Sequence, residues 1–418
     1  MAKTRTTKKA SKAPEQKAVY ERERVRKLHD LIKALGAWPA FCGLPRADRD
    51  LIELRRGPRP FIAEDPGIPK ECVQFFREVL DRYMSTESFP LGDAGYSITA
   101  REYFSSGLVL VASAMNMEKT GHPLTARWSR ALSQLLEFHE KSASEGPLYN
   151  LLLVLRVSSW VFSEVEHGWY VPKMEIETPR DRIAMPIFSF HYRFFPPEHR
   201  RFNLDGKPRT CFRVHAYSED FLTLTPCLLS TSLVPGQANR PERMLPVYVQ
   251  MHALRRIEER MAPYPMHMRD QVISKSIGEP VVRPLGENTC LIELRDVEFR
   301  VGYLVGEIVD DALVLRTFLF ITQSGTPEGD RFNEALRIGN YEKRWFELDR
   351  LSGFVHSDLC EDPRFQALLE QCGMKDLPRF ILEELPQMVK PDLLRKKGEQ
   401  VRKILMEQSR FTVAEEDT

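Results

Sequence analysis

The stretch FRVGYLVGEIVDDALVLRTFLFIT, residues 299–322, decides how this chain is read. Two runs rich in β-branched and aromatic residues, 299–309 and 312–322, flank Asp310 and Asp311. Such runs around two turn-forming residues predict an antiparallel hairpin with a two-residue connection. With Asp310 and Asp311 as the turn, Val309 pairs with Ala312 and Leu304 with Thr317. Arg300 and Thr317 then share one side of the sheet, and Arg316 points the other way. Just upstream, residues 290–294 (CLIEL) read as a further strand. Before them HALRRIEERM, from His252, reads as an amphipathic helix, followed by a short helical stretch over 266–277. On the first helix His252, Arg255, Arg256 and Glu259 share a face, with Arg260 at its border. Leu254, Ile257 and Met261 form the opposite, apolar stripe.

Working outward, short aromatic and β-branched runs at 185–195, 210–217 and 245–251 predict more strands. Toward the N-terminus the periodicity is helical, over 19–35, 71–84, 99–119, 123–142 and 147–166. Pro123 and Pro147 sit where a first-turn proline is favoured. Beyond the hairpin, Thr326, Pro327 and Glu328 open a helical segment. The expected fold class is α+β: an N-terminal helical bundle, a mixed, mainly antiparallel β region, and C-terminal helices. The expected division is a disordered basic tail (1–18), the bundle (19–168), a β-rich segment (169–246), an α+β module (247–325), a helical segment (326–408) and an acidic tail (409–418).

The chain has 418 residues, 42% hydrophobic and 28% charged, which is ordinary globular usage. The longest uncharged apolar stretches, 107–117 and 147–155, are well short of the ~20 residues that cross a bilayer, so no membrane partner is expected. Sixty basic against 59 acidic residues give +1, yet the first 27 residues carry ten basic and three acidic side chains. That tail can brush against phosphates, or serve only as a solubilising terminus. No apolar signal core follows it. Seven cysteines without a C-x-x-C pair suit reduced thiols and a cytoplasmic setting.

The chain lacks a Walker A loop, G-x-G-x-x-G, G-x-S-x-G, H-E-x-x-H and an EF-hand loop, which leaves nucleotide hydrolases, dinucleotide enzymes, serine hydrolases and zincins with little support. His29 and Asp30 form an HD dipeptide without identifiable partners. Cys211, His215 and Cys227 lack the tight spacing of a structural zinc site and read better as core residues. No cofactor and no metal are expected.

The segment 247–322 carries the remaining chemistry. Metal-independent RNA cleavage needs a group to take the ribose 2′-hydroxyl proton, guanidiniums on the scissile phosphate, and a proton for the departing 5′ oxygen. His252 suits the acid or base role, Arg256 and Arg300 the phosphate, and Thr317 an orienting hydroxyl. Arg255 and Arg260, with His199, Arg200, Arg201, Lys207 and Arg209, offer a basic approach surface for RNA. A helix with H-A-x-x-R-x-x-E-R, a second short helix, and a sheet whose last strand carries R-T-F resembles the barnase and RelE-type ribonuclease superfamily, many of whose members are toxins. The resemblance implies a RelE-like helix-helix-sheet module at 247–325 and a metal-independent endoribonuclease, with room for an inhibitory or activating protein partner. Two other readings stand beside it. The charged helix face is also what a solvated face looks like, with Glu258 and Glu259 balancing Arg255 and Arg256. The whole chain also reads as a non-catalytic scaffold binding protein or nucleic acid through its bundle and basic tail.

Overall fold

The apolar stripe of residues 251–261 is buried: in the computed structural model Met251–Met261 is a helix with Ala253, Leu254, Ile257 and Met261 in the core. The structure describes residues 13–91, 96–177, 185–218, 223–234, 241–296 and 298–389. The chain is a mixed α+β protein with N-terminal helices, central sheets and C-terminal helices. It divides into two units, Met1–Ser159 with Val171–Phe194, and Trp160–Tyr170 with Phe195–Thr418. The strand-rich run 169–246 is thus shared between them.

The first unit opens with α1 (Ala13–Ala34), α2 (Trp38–Cys42) and α3 (Arg46–Leu54), followed by the short strand β1 (Phe61–Ile62). Helix α1 begins six residues before the predicted start, so the expected disordered tail is helical from Ala13; residues 1–12 lie outside the described ones. In α4 (Lys70–Thr86) Val73, Phe76, Leu80 and Tyr83 are buried, as their spacing predicts. A hairpin that the helical reading missed, β2 (Ser88–Leu91) with β3 (Tyr96–Thr99), comes next.

The predicted helix over 99–119 changes type along its length. Thr99 and Glu102 form a capping box on α5 (Ala100–Glu102), Tyr103–Gly107 is a π-helical turn, and α6 (Leu108–Lys119) continues. Then come α7 (Thr125–Ala131), α8 (Ser133–Glu145) and α9 (Pro147–Trp160). Strands β4 (Trp169–Glu177) and β5 (Ile187–Phe195) complete a three-stranded sheet in the order β1-β5-β4. The aromatic side of β5 is largely core: Phe190 and Tyr192 are buried, and Tyr192 stacks on Phe76 with ring centroids 3.6 Å apart.

The second unit is built on an eight-stranded sheet. Its strands are β6 (His199–Leu204), β7 (Lys207–Arg213), and, after the separate hairpin of β8 (His215–Tyr217) and β9 (Leu224–Pro226), β10 (Leu228–Ser230) and β11 (Met244–Gln250). The chain then forms α10 (Met251–Met261) and α11 (Arg269–Gly278) before β12 (Val282–Pro284), β13 (Thr289–Asp296), β14 (Phe299–Val309) and β15 (Ala312–Phe320). The order is β12-β13-β14-β15-β11-β7-β6, with β10 beside β11. Among the described residues of this sheet, only β11 and β15 pair in parallel.

Alternation sorts the two faces of β15. Leu313 and Leu315 join Leu254 and Ile257 in the large core, whereas Ala312 and Val314 join Phe202, Leu204, Cys211 and Tyr248 in a smaller one. Thr326 caps α12 (Pro327–Leu336) by accepting from the Gly329 N–H, as its position predicts. Further short helices reach Met388, and the expected acidic tail lies outside the described residues. Among the described residues no helix is long and apolar enough to cross a membrane.

The hairpin register needs a correction. Val309 pairs with Ala312 around the turn, but Val305 rather than Leu304 opposes Thr317, because the ladder shifts between Val305 and Gly306. Leu315 opposes Gly306, so Arg316 is the extra residue of a β-bulge, and the alternation is broken at that point. Three residues before Val305 on β14, Gly302 is required by space: a Cβ there would lie 2.3 Å from the Leu319 carbonyl oxygen and 2.6 Å from the Phe318 ring. Gly302→Ala is therefore expected to cost ~1–3 kcal/mol, read as a lower denaturant midpoint at unchanged m-value.

Candidate active site

The β-bulge and a hairpin turn together build the site. Asp205 and Gly206 both take positive φ, 52° and 73°, and close β6 onto β7 in a two-residue turn. That places Leu204, Asp205 and Arg209 on one wall of a depression of about 520 Å³. Strand β11 passes directly into α10, bringing Gln250 and His252 to a second wall, and Thr289, Val305, Glu307, Arg316 and Thr317 complete it. Had the strands kept regular alternation, Arg316 and Thr317 would point to opposite faces; the bulge lets both line this depression.

Of the residues singled out from sequence, His252, Thr317 and Arg209 come together here. The His252 ring is exposed and has no hydrogen bond or ion pair among the described residues. Partial burial, with the guanidiniums of Arg256, Arg260 and Arg209, holds its pKa below the usual 6.5, while Glu259 pulls it the other way. The imidazole is thus largely neutral at pH 7 and able to accept a proton. Arg209 and the Thr317 hydroxyl are also without partners among the described residues. Arg316, on the same face of β15 as Ala312 and Val314, also lines the depression but is bound to Glu307 and Asp205.

The other candidates are elsewhere or engaged. Arg256 is absent from the lining and donates to Glu259 at 2.7 Å, the local pairing a solvated face allows. Arg300 lies five residues from Val305, about 16 Å along β14 at ~3.3 Å per residue. There it donates to Glu293 at 3.0 Å and pairs with Glu328 at 3.1 Å. Glu293 is 1% exposed; burial pushes its carboxyl up, but Arg295, Arg283 and Arg300 together bring it below the ordinary value. Arg300 is therefore part of a structural ion network rather than a phosphate ligand in this depression. Arg260 is half-buried and donates to the Phe318 carbonyl; burial and Arg256 lower its pKa to about 10. Arg255 is exposed on α10, Arg200 pairs with Asp311 at 2.6 Å, and Arg201 and Lys207 are exposed on the β6–β7 hairpin.

Sequence reasoning missed Gln250, Glu307, Asp205 and the presence of Arg316. The Asp-Gly pair at 205–206 was the available signal, since it marks the hairpin that carries Arg209 and Asp205. The ladder shift has no comparable signature in the sequence.

The metal readings do not gain support. His29 pairs with Glu53 at 2.7 Å. Burial pushes the thiols of Cys211 and Cys227 up, to about 11 and about 12, so both are protonated at neutral pH. Glu164, Glu166 and His167 have ligand atoms within 4.8 Å of one another, but His167 bonds Glu164 at 2.5 Å and Glu166 pairs with Arg269 at 2.7 Å.

The chain matches no family model, no curated protein and no solved structure.

Proposed function

We propose that the second unit carries a RelE-like module that binds RNA in this depression and cleaves it without a metal. The observation that supports the reading is the meeting of His252, Arg209 and Thr317, all unpartnered among the described residues, on one open depression. In this reading the neutral His252 imidazole takes the proton of a ribose 2′-hydroxyl. The freed oxygen closes on phosphorus to give a 2′,3′-cyclic phosphate, the bond to the 5′ oxygen breaks, and that oxygen is protonated from solvent. Arg209 replaces Arg256 and Arg300 as the guanidinium that meets the phosphate, because it is the arginine of this depression with no carboxylate partner. Thr317 orients the phosphate through its hydroxyl.

A second reading, a binding scaffold without catalysis, draws on Glu307 and Asp205. These carboxylates line the same walls and neutralise Arg316, leaving Arg209 as the cation facing a substrate. The two readings part on purified protein incubated with total RNA in the presence of a chelator. The cleavage reading expects fragmentation that Arg209→Ala reduces by about tenfold or more, on the scale of one charge-assisted contact of ~1.5–3 kcal/mol. Retention of RNA without fragmentation supports the scaffold.

A further inference from the structure

The first unit contains a cavity of about 520 Å³ between α1, the loop after α3 and the π-helical turn. Three cations line it, Lys27, Arg59 and Arg101, and none has an ion-pair or hydrogen-bond partner among the described residues. Their neighbours Arg24 and Arg56 are, by contrast, tied to Glu21, at 2.8 and 2.6 Å. Of the lining carboxylates, Glu102 is occupied by Thr99 and Glu23 by Arg26, so Asp81 is left facing the space. The unpaired side chains therefore favour an anion.

Two further observations mark this as more than a basic surface. Ser106 lines the cavity while only 3% exposed, and its hydroxyl has no partner among the described residues, an arrangement that leaves a hydrogen bond for a ligand to complete. It belongs to a π-helical turn, closed by Leu108 N–H on the Tyr103 carbonyl, and such turns are concentrated at functional sites. The opposite wall is pinned directly to that turn. A Cβ at Gly57 would lie 2.2 Å from the Phe104 carbonyl oxygen and 2.4 Å from that of Ser105, so only glycine lets the loop approach. Pro58 and Pro60 follow it and, with Met84, give the cavity apolar sides.

We infer that this cavity binds a nucleoside phosphate. The phosphate meets Lys27, Arg59 and Arg101, Asp81 accepts from a sugar hydroxyl or base amino group, and the base lies against Pro58, Pro60 and Met84. A bare phosphate would leave the apolar walls and Asp81 unused, whereas the volume is in the ~300–1,000 Å³ range of small-molecule sites.

The test is calorimetric titration of the full chain with AMP, GMP, CMP, UMP and inorganic phosphate. Wild type is compared with Arg59→Ala/Arg101→Ala, with Lys27→Gln, and with Arg209→Ala/His252→Ala, which alters only the second unit's depression. The expected result is saturable binding of at least one nucleotide, tighter than phosphate, weakened at least tenfold by Arg59→Ala/Arg101→Ala and several-fold by Lys27→Gln, and unchanged by Arg209→Ala/His252→Ala. Saturation by none of the four nucleotides, phosphate binding as tightly as the best of them, or affinity indifferent to the first-unit changes would each overturn the assignment. Lys27→Gln, on the exposed face of α1, keeps the test valid if the double variant folds poorly.

Discussion

Arg269→Met is expected to lower the unfolding free energy of the protein by about 3–5 kcal/mol, the usual consequence of leaving buried charges without their partner. Arg269 is 3% exposed and donates to Asp270 and Glu166, each at 2.7 Å, and to Glu258 at 2.5 Å. Asp270 in turn accepts the Val165 N–H at 2.7 Å, so one guanidinium ties residues 165–166 and α10 to α11. Removing it leaves the carboxylates of Asp270 and Glu166 buried together without the guanidinium that offsets their repulsion. Glu258→Gln supplies the contrast. Its side chain is 43% exposed, and the change should cost no more than ~1 kcal/mol. Urea denaturation of the three proteins reads both effects; equal, small losses would mean the cluster does not hold these segments together.

His252→Ala is expected to reduce RNA cleavage by roughly 10²–10⁴-fold, the range a positioned general base supplies. The change should leave folding intact, because the side chain is exposed and without partners among the described residues. The pH profile carries a further signature. A base must be deprotonated to act, and this imidazole is held below the usual 6.5 by partial burial and three neighbouring guanidiniums. Activity should therefore rise with pH through a midpoint below 6.5 and be near its plateau at pH 7. Glu259→Gln removes a carboxylate that raises this pKa and should move the midpoint lower. A midpoint above 6.5, or one that moves up in Glu259→Gln, would contradict His252 as the base.

Much of the fold was legible in the sequence because periodicity and caps are local. The stripe of Val73, Phe76, Leu80 and Tyr83, the Thr326 cap and the Asp310–Asp311 turn all follow from neighbours a few residues apart. The site was less legible because its composition depends on non-local geometry. Arg300 and Arg256 have the right chemistry, yet their nearest carboxylates, Glu293 and Glu328 for one and Glu259 for the other, engage them first. Arg209 and His252, 43 residues apart, meet only because β7 pairs with β11. Thr317 joins Arg316 in the depression through one extra residue in a strand, a shift that residue types alone do not specify.

The most direct measurement is the end chemistry of RNA fragments made by purified protein in excess chelator, with His252→Ala and Arg209→Ala alongside. The wild type is expected to give 2′,3′-cyclic phosphate and 5′-hydroxyl ends, and His252→Ala fragments too few to score. Intact RNA from the wild type, 5′-phosphate ends, or undiminished cleavage by His252→Ala would contradict that chemistry.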